Sequence, residues 1–131
     1  MNKHYMLEVG ENKMAMDVRN IREEVVQLHA HICSGLADPN RILIIYNLVD
    51  GPKNVNDLAA ALELSQPTVS RHLKVLRDRG IVHATRDGQS VYYTLTDRRI
   101  IKALDLLRLV MVESLQKQAL LFSQTIEKKP L

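Results

Sequence analysis

The positions of apolar residues predict a chain made mainly of helices. From about Asp17 to Leu36, apolar side chains recur every three or four residues, the spacing of one face of an amphipathic helix. A second helix is predicted after Asp38, a suitable N-cap, and Pro39, which suits a first helical turn. A third and longer apolar stripe predicts a C-terminal helix over about residues 97–127. Residues 1–16 show little periodicity, and we expect a flexible N-terminal tail there.

The middle of the chain has the pattern of two short helices joined by a tight turn. An Ala-rich stretch predicts the first helix, with Asn56 or Asp57 as its N-terminal cap. Ser65 is a suitable cap for the second helix, whose apolar residues recur at spacings of four and three and therefore share one buried face: Val69, Leu73 and Leu76. We predict a helix-turn-helix over about residues 55–79, the motif whose second helix enters the major groove of DNA.

Most other residues of that second helix are polar, and there is no acidic residue between Glu63 and Asp78. Such side chains hydrogen-bond base edges and phosphates. We predict that the helix contacts DNA through seven residues: Gln66, Thr68, Ser70, Arg71, His72, Lys74 and Arg77. For His72 and for His83, packing against the protein is the alternative to facing DNA.

A β-hairpin is predicted directly after the helix-turn-helix. Gly80 is expected to end the preceding helix in the left-handed conformation. Two β-prone runs within about residues 81–95 flank Asp87-Gly88-Gln89, and Asp-Gly between such runs is a strong hairpin signal. A helix-turn-helix followed by a hairpin is a winged helix. We expect contacts to phosphate or to the minor groove at the tip of the wing, from Arg86, Gln89 and Ser90.

Four segments closely resemble the ArsR family of bacterial and archaeal transcriptional repressors. They are Leu-Ala-Asp-Pro-Asn-Arg-Ile at 36–42, Asp-Leu-Ala-Ala-Ala-Leu at 57–62, Ser-Gln-Pro-Thr-Val-Ser-Arg-His-Leu-Lys-Val-Leu at 65–76, and the wing strand with Val-Tyr-Tyr at 91–93. The segments occur in the family's order and spacing. The resemblance implies a homodimeric winged-helix repressor that releases its operator when an inducer binds or a thiol is modified.

Length and charge agree with this interpretation. A chain of 131 residues suits one compact domain, here predicted over residues 17–128. Between Ser65 and Arg99 there are seven Lys or Arg and three acidic residues, a surplus of +4, whereas the whole chain carries +3. Positive charge on the predicted DNA-binding segment attracts phosphates. The alternative is that this charge is only a solvated face.

The first and last helices have more apolar surface than a small winged helix needs. The resemblance implies that the dimer interface is built from these helices. We predict a homodimer interface that includes Val18, Ile21, Val25, Leu28, Leu107, Met111, Leu115 and Phe122. A two-fold dimer would present two recognition helices to successive major grooves and would bind a pseudo-palindromic operator. The alternative is that the C-terminal helix folds back on its own domain. The predicted fold class is thus mainly α with a small β-hairpin, a winged helix-turn-helix with N- and C-terminal dimerisation helices.

No metal site and no cofactor are predicted. Metal-binding members of the family carry cysteines in the helix before the recognition helix, or Asp and several His on the C-terminal helix, and both patterns are missing here. His29 and Cys33 lie four residues apart on one helix face, but two ligands need a third. Metal sensing and thiol-redox sensing through Cys33 stay as alternatives to a Cys33 that simply packs.

The predicted function is sequence-specific regulation of transcription, with double-stranded operator DNA and a second copy of the chain as partners. We expect no enzymatic activity, because nucleophile motifs, phosphate-binding loops and paired carboxylates do not occur. The alternative is a winged-helix protein-interaction module without specific DNA binding. The chain shows neither a membrane-length apolar run nor a secretory pattern, so a cytoplasmic location and no membrane partner are expected. The inducing signal is not encoded in a recognisable pattern.

Overall fold

The computed structural model describes the backbone of residues 18–127 and the side chains of residues 20–127. These residues fall into two units, divided between Thr96 and Asp97. The first unit contains α1 (Val18–Leu28), a π-helical turn (His29–Cys33), α2 (Ser34–Leu36), α3 (Pro39–Asn47), α4 (Val55–Leu62), α5 (Gln66–Asp78), β1 (Val82–Asp87) and β2 (Ser90–Leu95); the second contains α6 (Arg99–Glu127). The mainly helical fold class with one hairpin is confirmed. The predicted tail, residues 1–16, lies outside the described residues, and the single domain over 17–128 stays a prediction.

The N-terminal helix is continuous but not uniform. Helical backbone runs from Val18 to Leu36, close to the predicted bounds. At His29–Cys33, however, the winding widens to a π-helical turn, in which the Ser34 N–H donates to the carbonyl of His29, five residues earlier. Such single-turn bulges are rare inside α-helices. The three- and four-residue spacing of apolar side chains did not predict it.

Helix caps fix where the next helices begin. The Asp38 side chain accepts a 2.8 Å hydrogen bond from the Asn40 N–H, and Pro39 is the first residue of α3, as predicted. The predicted cap of α4 is wrong: the N-cap is Asn54. Its side chain accepts from the Asp57 N–H at 2.8 Å, and the Asp57 carboxylate accepts from the Asn54 N–H at 3.3 Å. This reciprocal pair is a capping box, and it starts α4 earlier than the Ala-rich pattern indicated.

The core of the first unit joins α3, α4, α5 and the start of β1. The predicted stripe on α5 is confirmed, because Val69, Leu73 and Leu76 have no exposed surface. They share the interior with Ile44, Ile45, Leu48, Leu58, Ile81, Val82 and Leu95. Full burial of one such side chain contributes about 1.5–3 kcal/mol. The buried stripe therefore fixes which face of α5 points outward.

The same kind of ending terminates α4 and α5. Glu63 (φ +55) follows α4, and the Leu64 N–H donates across it to the Ala59 carbonyl. After α5, Gly80 has φ +72 and the Ile81 N–H donates to the Leu76 carbonyl, which confirms the predicted left-handed glycine. Both helices thus end near a residue with positive φ, and only Glu63, Leu64 and Ser65 separate α4 from α5.

The wing is a two-stranded antiparallel hairpin with a third element at its base. β1 and β2 pair from Val82 with Leu95 at the base to Asp87 with Ser90 at the tip, which leaves a two-residue loop. In that loop Gly88 has φ +63. At the base, Lys53 and Tyr93 exchange two backbone hydrogen bonds, of 3.1 and 2.8 Å. The segment before α4 is therefore tied to the wing.

The second unit is a single long helix. The Asp97 carboxylate accepts a 2.9 Å hydrogen bond from the Arg99 N–H at the start of α6. Leu104 is the buried residue of α6, whereas its other large apolar side chains from Leu106 onward are exposed. In the described part of the chain, α6 and the other helices are too short or too polar to cross a membrane.

Candidate DNA-binding surface

The exposed face of α5 carries a row of polar side chains. Because Val69, Leu73 and Leu76 hold the helix against the core, Gln66, Ser70 and Lys74 are exposed at four-residue intervals. Residues four apart lie one above the other on a helix. Their amide, hydroxyl and ammonium groups are donors and acceptors of the kind that contact base edges and phosphates.

Side-chain hydrogen bonds hold the first turn of α5 together. The Ser65 side chain accepts from the Thr68 N–H at 3.3 Å, which confirms the predicted cap, and its hydroxyl lies 2.8 Å from the Thr68 hydroxyl. The exposed Arg71 guanidinium then donates to that same Thr68 oxygen at 3.2 Å. Thr68 thus supports Arg71, whose remaining donors are available at the surface.

Lys74 forms an ion pair on the surface of α5. Its ammonium group donates a 2.8 Å hydrogen bond to the Asp78 carboxylate one turn later, and both side chains are exposed. That hydrogen bond lowers the pKa of Asp78; desolvation opposes it, and the positive charges of Lys74, Arg77 and Arg79 add to the lowering. Exposed pairs of this kind are weak. Breaking this pair would therefore cost little.

His72 differs from the other predicted contacts on α5. Its side chain is only 15% exposed. Its Nδ1 lies 3.5 Å from the Arg41 guanidinium, and its Nε2 lies 3.9 Å from the Asp38 carboxylate at the start of α3. Of the two interpretations of His72, this position favours packing against the protein.

At the wing tip, Arg86, Gln89 and Ser90 are all exposed. His83 lies lower on β1, directly across from Thr94, whose hydroxyl is 2.7 Å from the imidazole Nε2. His83 is thus hydrogen-bonded across the two strands, whereas the tip residues lie at the exposed end of the hairpin. The structure does not bring His83 to the tip residues.

The candidate sensing residues lie in the π-helical turn. His29 and Cys33 are both exposed there, and His31 is hydrogen-bonded to Gln27 at 3.1 Å. Within residues 18–127, no three His, Cys, Asp or Glu side chains are grouped closely enough to hold a metal ion. The described residues therefore add no third ligand to His29 and Cys33.

The predicted interface residues are exposed, with two exceptions. Val25 and Leu28 on α1 are half exposed, and Ile21 is half-buried; the Val18 side chain lies outside the described part. On α6 the predicted residues are each more than half exposed: Leu107, Met111, Leu115 and Phe122.

Two arginines that the sequence analysis did not single out connect the helices around α5. Arg41 donates to the Gly35 carbonyl at 2.7 Å and to the Ser34 carbonyl at 3.2 Å, and Arg79 donates to the Ala30 carbonyl. Arg41 lies within the Asp-Pro-Asn-Arg run, so its type and position were visible in the sequence. Arg79 had no such signal, because its acceptor exists only where the helix forms the π-helical turn.

Known proteins are similar to this chain in sequence and in fold. Residues 38–84 match the description of bacterial regulatory proteins of the arsR family. The transcriptional regulator NmtR of Mycobacterium tuberculosis is 41% identical over 58% of this chain, which spans 63% of the length of NmtR. The nodulation protein NolR of Rhizobium meliloti is 31% identical over 84% of each chain.

A solved structure is similar in architecture. It is a homodimeric winged helix-turn-helix DNA-binding domain from Mycobacterium bovis, described as a possible ArsR-family regulator. It is 27% identical, with a TM-score of 0.65 over 79% of this chain and 95% of that one. The cap, the buried stripe of α5 and the wing are therefore parts of a known architecture, and the chain belongs to the ArsR family of bacterial regulatory proteins.

Proposed function

We propose that this protein is a homodimeric transcriptional repressor that binds a pseudo-palindromic operator. The observation that carries the proposal is the outward face of α5, on which Gln66, Ser70 and Arg71 are exposed while the opposite stripe is completely buried. The protein acts as a regulator rather than as an enzyme. Since bacterial operators lie in the cytoplasm, the proposal places the protein there.

Different residues of this surface have different roles. Gln66 and Ser70, near the start of α5, are placed to contact base edges, because the N-terminal residues of a recognition helix reach deepest into the major groove. Arg71, Lys74, Arg77 and Arg86 supply positive charge for phosphates, and Arg71 also suits a guanine. Gln89 and Ser90 extend the contact at the wing.

Dimerisation follows from the exposed apolar side chains of α1 and α6. Leu107 is 62% exposed and Phe122 is 68% exposed, and their neighbours along α6 are similar. Contiguous exposed apolar surface of this kind marks an interaction site. A second copy of the chain is the partner that the homodimeric relative supports. Two copies then offer two recognition helices to two half-sites.

The test is fluorescence anisotropy with the DNA upstream of the protein's own gene and with a random duplex of equal length. Gln66→Ala should weaken operator binding by about 1–3 kcal/mol and change random binding little. Lys74→Ala should weaken both similarly and reduce the salt slope by about one unit. If Gln66→Ala weakened binding to both duplexes equally, Gln66 would not contact base edges. If the wild-type protein did not distinguish the duplexes, the repressor function itself would be wrong.

A further inference from the structure

The π-helical turn leaves one backbone carbonyl available to other donors. In a regular α-helix the Ser34 N–H would donate to the carbonyl of Ala30, four residues earlier. Here it donates to His29 instead. The Ala30 carbonyl accepts from the Ser34 hydroxyl at 2.6 Å and from the guanidinium of Arg79. The turn thus creates an acceptor that a side chain from another helix uses.

Arg79 directly follows α5, the proposed recognition helix. Its hydrogen bond to the Ala30 carbonyl therefore connects the end of that helix to the N-terminal helix. Side chains that follow α5 also pack closely against Gly35 at the end of the N-terminal helix. A Cβ atom on Gly35 would lie 2.7 Å from the Ile81 side chain and 3.5 Å from the Cγ of Arg79. Glycine at position 35 therefore allows the end of the N-terminal helix to lie against the segment that leaves α5.

Arg41 makes a second connection between the same two helices. Its donors cover the carbonyls of Ser34 and Gly35, which the end of a helix leaves without partners inside the helix. The same guanidinium faces Nδ1 of His72 on α5 at 3.5 Å. Because a guanidinium can only donate, this nitrogen is the acceptor. The recognition helix is thus linked to the N-terminal helix in its middle and at its end.

We propose that Arg41 and Arg79 are positioning residues that fix the angle of the recognition helix relative to the N-terminal helix, with the π-helical turn as the joint. This proposal rests on the proposed function. If the N-terminal helix takes part in the dimer, that angle determines how far apart the two recognition helices lie. Operator binding needs both helices in register with two half-sites, whereas random DNA is bound through its phosphates and tolerates a looser arrangement.

The experiment compares Arg79→Met with Arg77→Met, since both remove one positive charge from the end of α5 but Arg77 is exposed and outside the joint. Arg79→Met should bind the operator about tenfold more weakly, and its affinity for random DNA should fall far less. A hydrogen bond to a charged group corresponds to roughly one to two powers of ten in an equilibrium constant. Arg77→Met should lose similarly on both duplexes. Arg79→Lys, which keeps a cationic donor, should recover most of the operator affinity.

A second measurement separates positioning from simple support of the fold. An operator with one base pair inserted between its half-sites should bind the wild type much more weakly than the native operator. In Arg79→Met and Arg41→Met the ratio between the two operators should shrink, because a looser joint adapts to the new spacing. Thermal unfolding of each variant identifies the temperature at which it is folded, and binding is compared there.

Two results would overturn the proposal: an unchanged ratio between the two operators in both variants, or an Arg79→Met loss that is equal on operator and random DNA. A wild-type protein that fails to distinguish operator from random DNA would instead reject the repressor function. The two failures are therefore distinguishable.

Discussion

The first unit and α6 have apolar residues at similar helical spacings, yet they differ in where those residues lie. In the first unit Ile44, Leu58 and Leu73 have no exposed surface. In α6, Leu107 and Phe122 are more than 60% exposed. Apolar periodicity therefore identifies a face that must be covered, but it does not identify whether the same unit or another surface covers it. The core of α3, α4, α5 and the wing is complete in one chain, whereas the apolar faces of α1 and α6 are exposed.

Residues 106–112 of α6 show the difference in exposure most clearly. Six of these seven residues are apolar, and Arg108 is the exception. Seven consecutive residues of an α-helix point in all directions around its axis. A helix that is apolar on all sides is normally buried in its assembly. A single partner helix would cover only one side of this stretch. We therefore expect the stretch to pack against more than one surface.

The largest expected effect comes from placing a charge in that stretch. Met111→Asp would bury an unpaired carboxylate at the proposed dimer interface, at a cost of several kcal/mol. We expect monomers in analytical ultracentrifugation and loss of operator binding, because one half-site offers too few contacts. Ser114→Asp adds the same charge at a position that is already polar and should leave the dimer intact. A dimeric Met111→Asp protein would show that α6 does not need covering at this point.

The same Leu→Ala substitution in the core of the first unit and in α6 should affect stability in different ways. Leu73→Ala should lower the free energy of unfolding by about 2–5 kcal/mol at any protein concentration, because it leaves a cavity in a closed core. Leu107→Ala should lower the apparent stability only through the dimer, so its effect should vary with protein concentration. Urea unfolding at two concentrations a hundredfold apart measures both. A concentration-independent loss for Leu107→Ala would place this side chain in the core of its own chain.

Substitutions in the wing should change DNA binding without changing the core of the first unit or the dimer. Gly88 has φ +63, and an L side chain in this region costs about 1–2 kcal/mol. Gly88→Val should misplace Arg86, weaken operator binding by up to about tenfold and leave the dimer intact. Gly88→Asn is the control, because Asn tolerates this conformation. If Arg86→Ala keeps full operator affinity at low salt, the wing does not contact DNA.

The smallest expected effect concerns the pair at the end of α5. Asp78→Asn removes a carboxylate whose pKa is held low by the Lys74 hydrogen bond, so the wild-type residue is charged throughout the neutral range. The substitution frees Lys74 and removes a negative charge near DNA. Binding to operator and random DNA should both strengthen about twofold, with a steeper salt slope. Weaker binding would mean that the pair orients Lys74 for its contact.

The sequence predicted those elements whose cause is local. Ser65 as a cap, the buried stripe with Leu73, Gly80 in the left-handed region and the hairpin turn at Gly88 all follow from a few neighbouring residues. The cap of α4 was misplaced because three polar residues, Asn54, Asn56 and Asp57, stand close together, and only the reciprocal hydrogen bonds choose Asn54.

The site was predicted less completely than the fold. The polar row of α5 followed from helical spacing, and its contact with DNA stays a prediction. The joint formed by Arg41 and Arg79 did not follow from the sequence, because it needs the π-helical turn and a contact between residues 49 positions apart. His72 shows the same limit, since helical spacing alone does not indicate that Arg41 and Asp38 lie beside it.

The exchange of hydrogen bonds between Lys53 and Tyr93 has a consequence for motion within the wing. A two-stranded hairpin alone is marginally stable in water. The pairing of Lys53 with Tyr93 adds a third backbone segment near the base of the hairpin. Gly88 and Gln89 at the tip lie outside the strand pairing. We therefore expect the amide hydrogen of Tyr93 to exchange with solvent only when the whole unit opens, and amides near the tip to exchange through small local openings. The wing would then approach DNA as a fixed stem with a pliable end, which can follow the width of a minor groove while the stem keeps its direction.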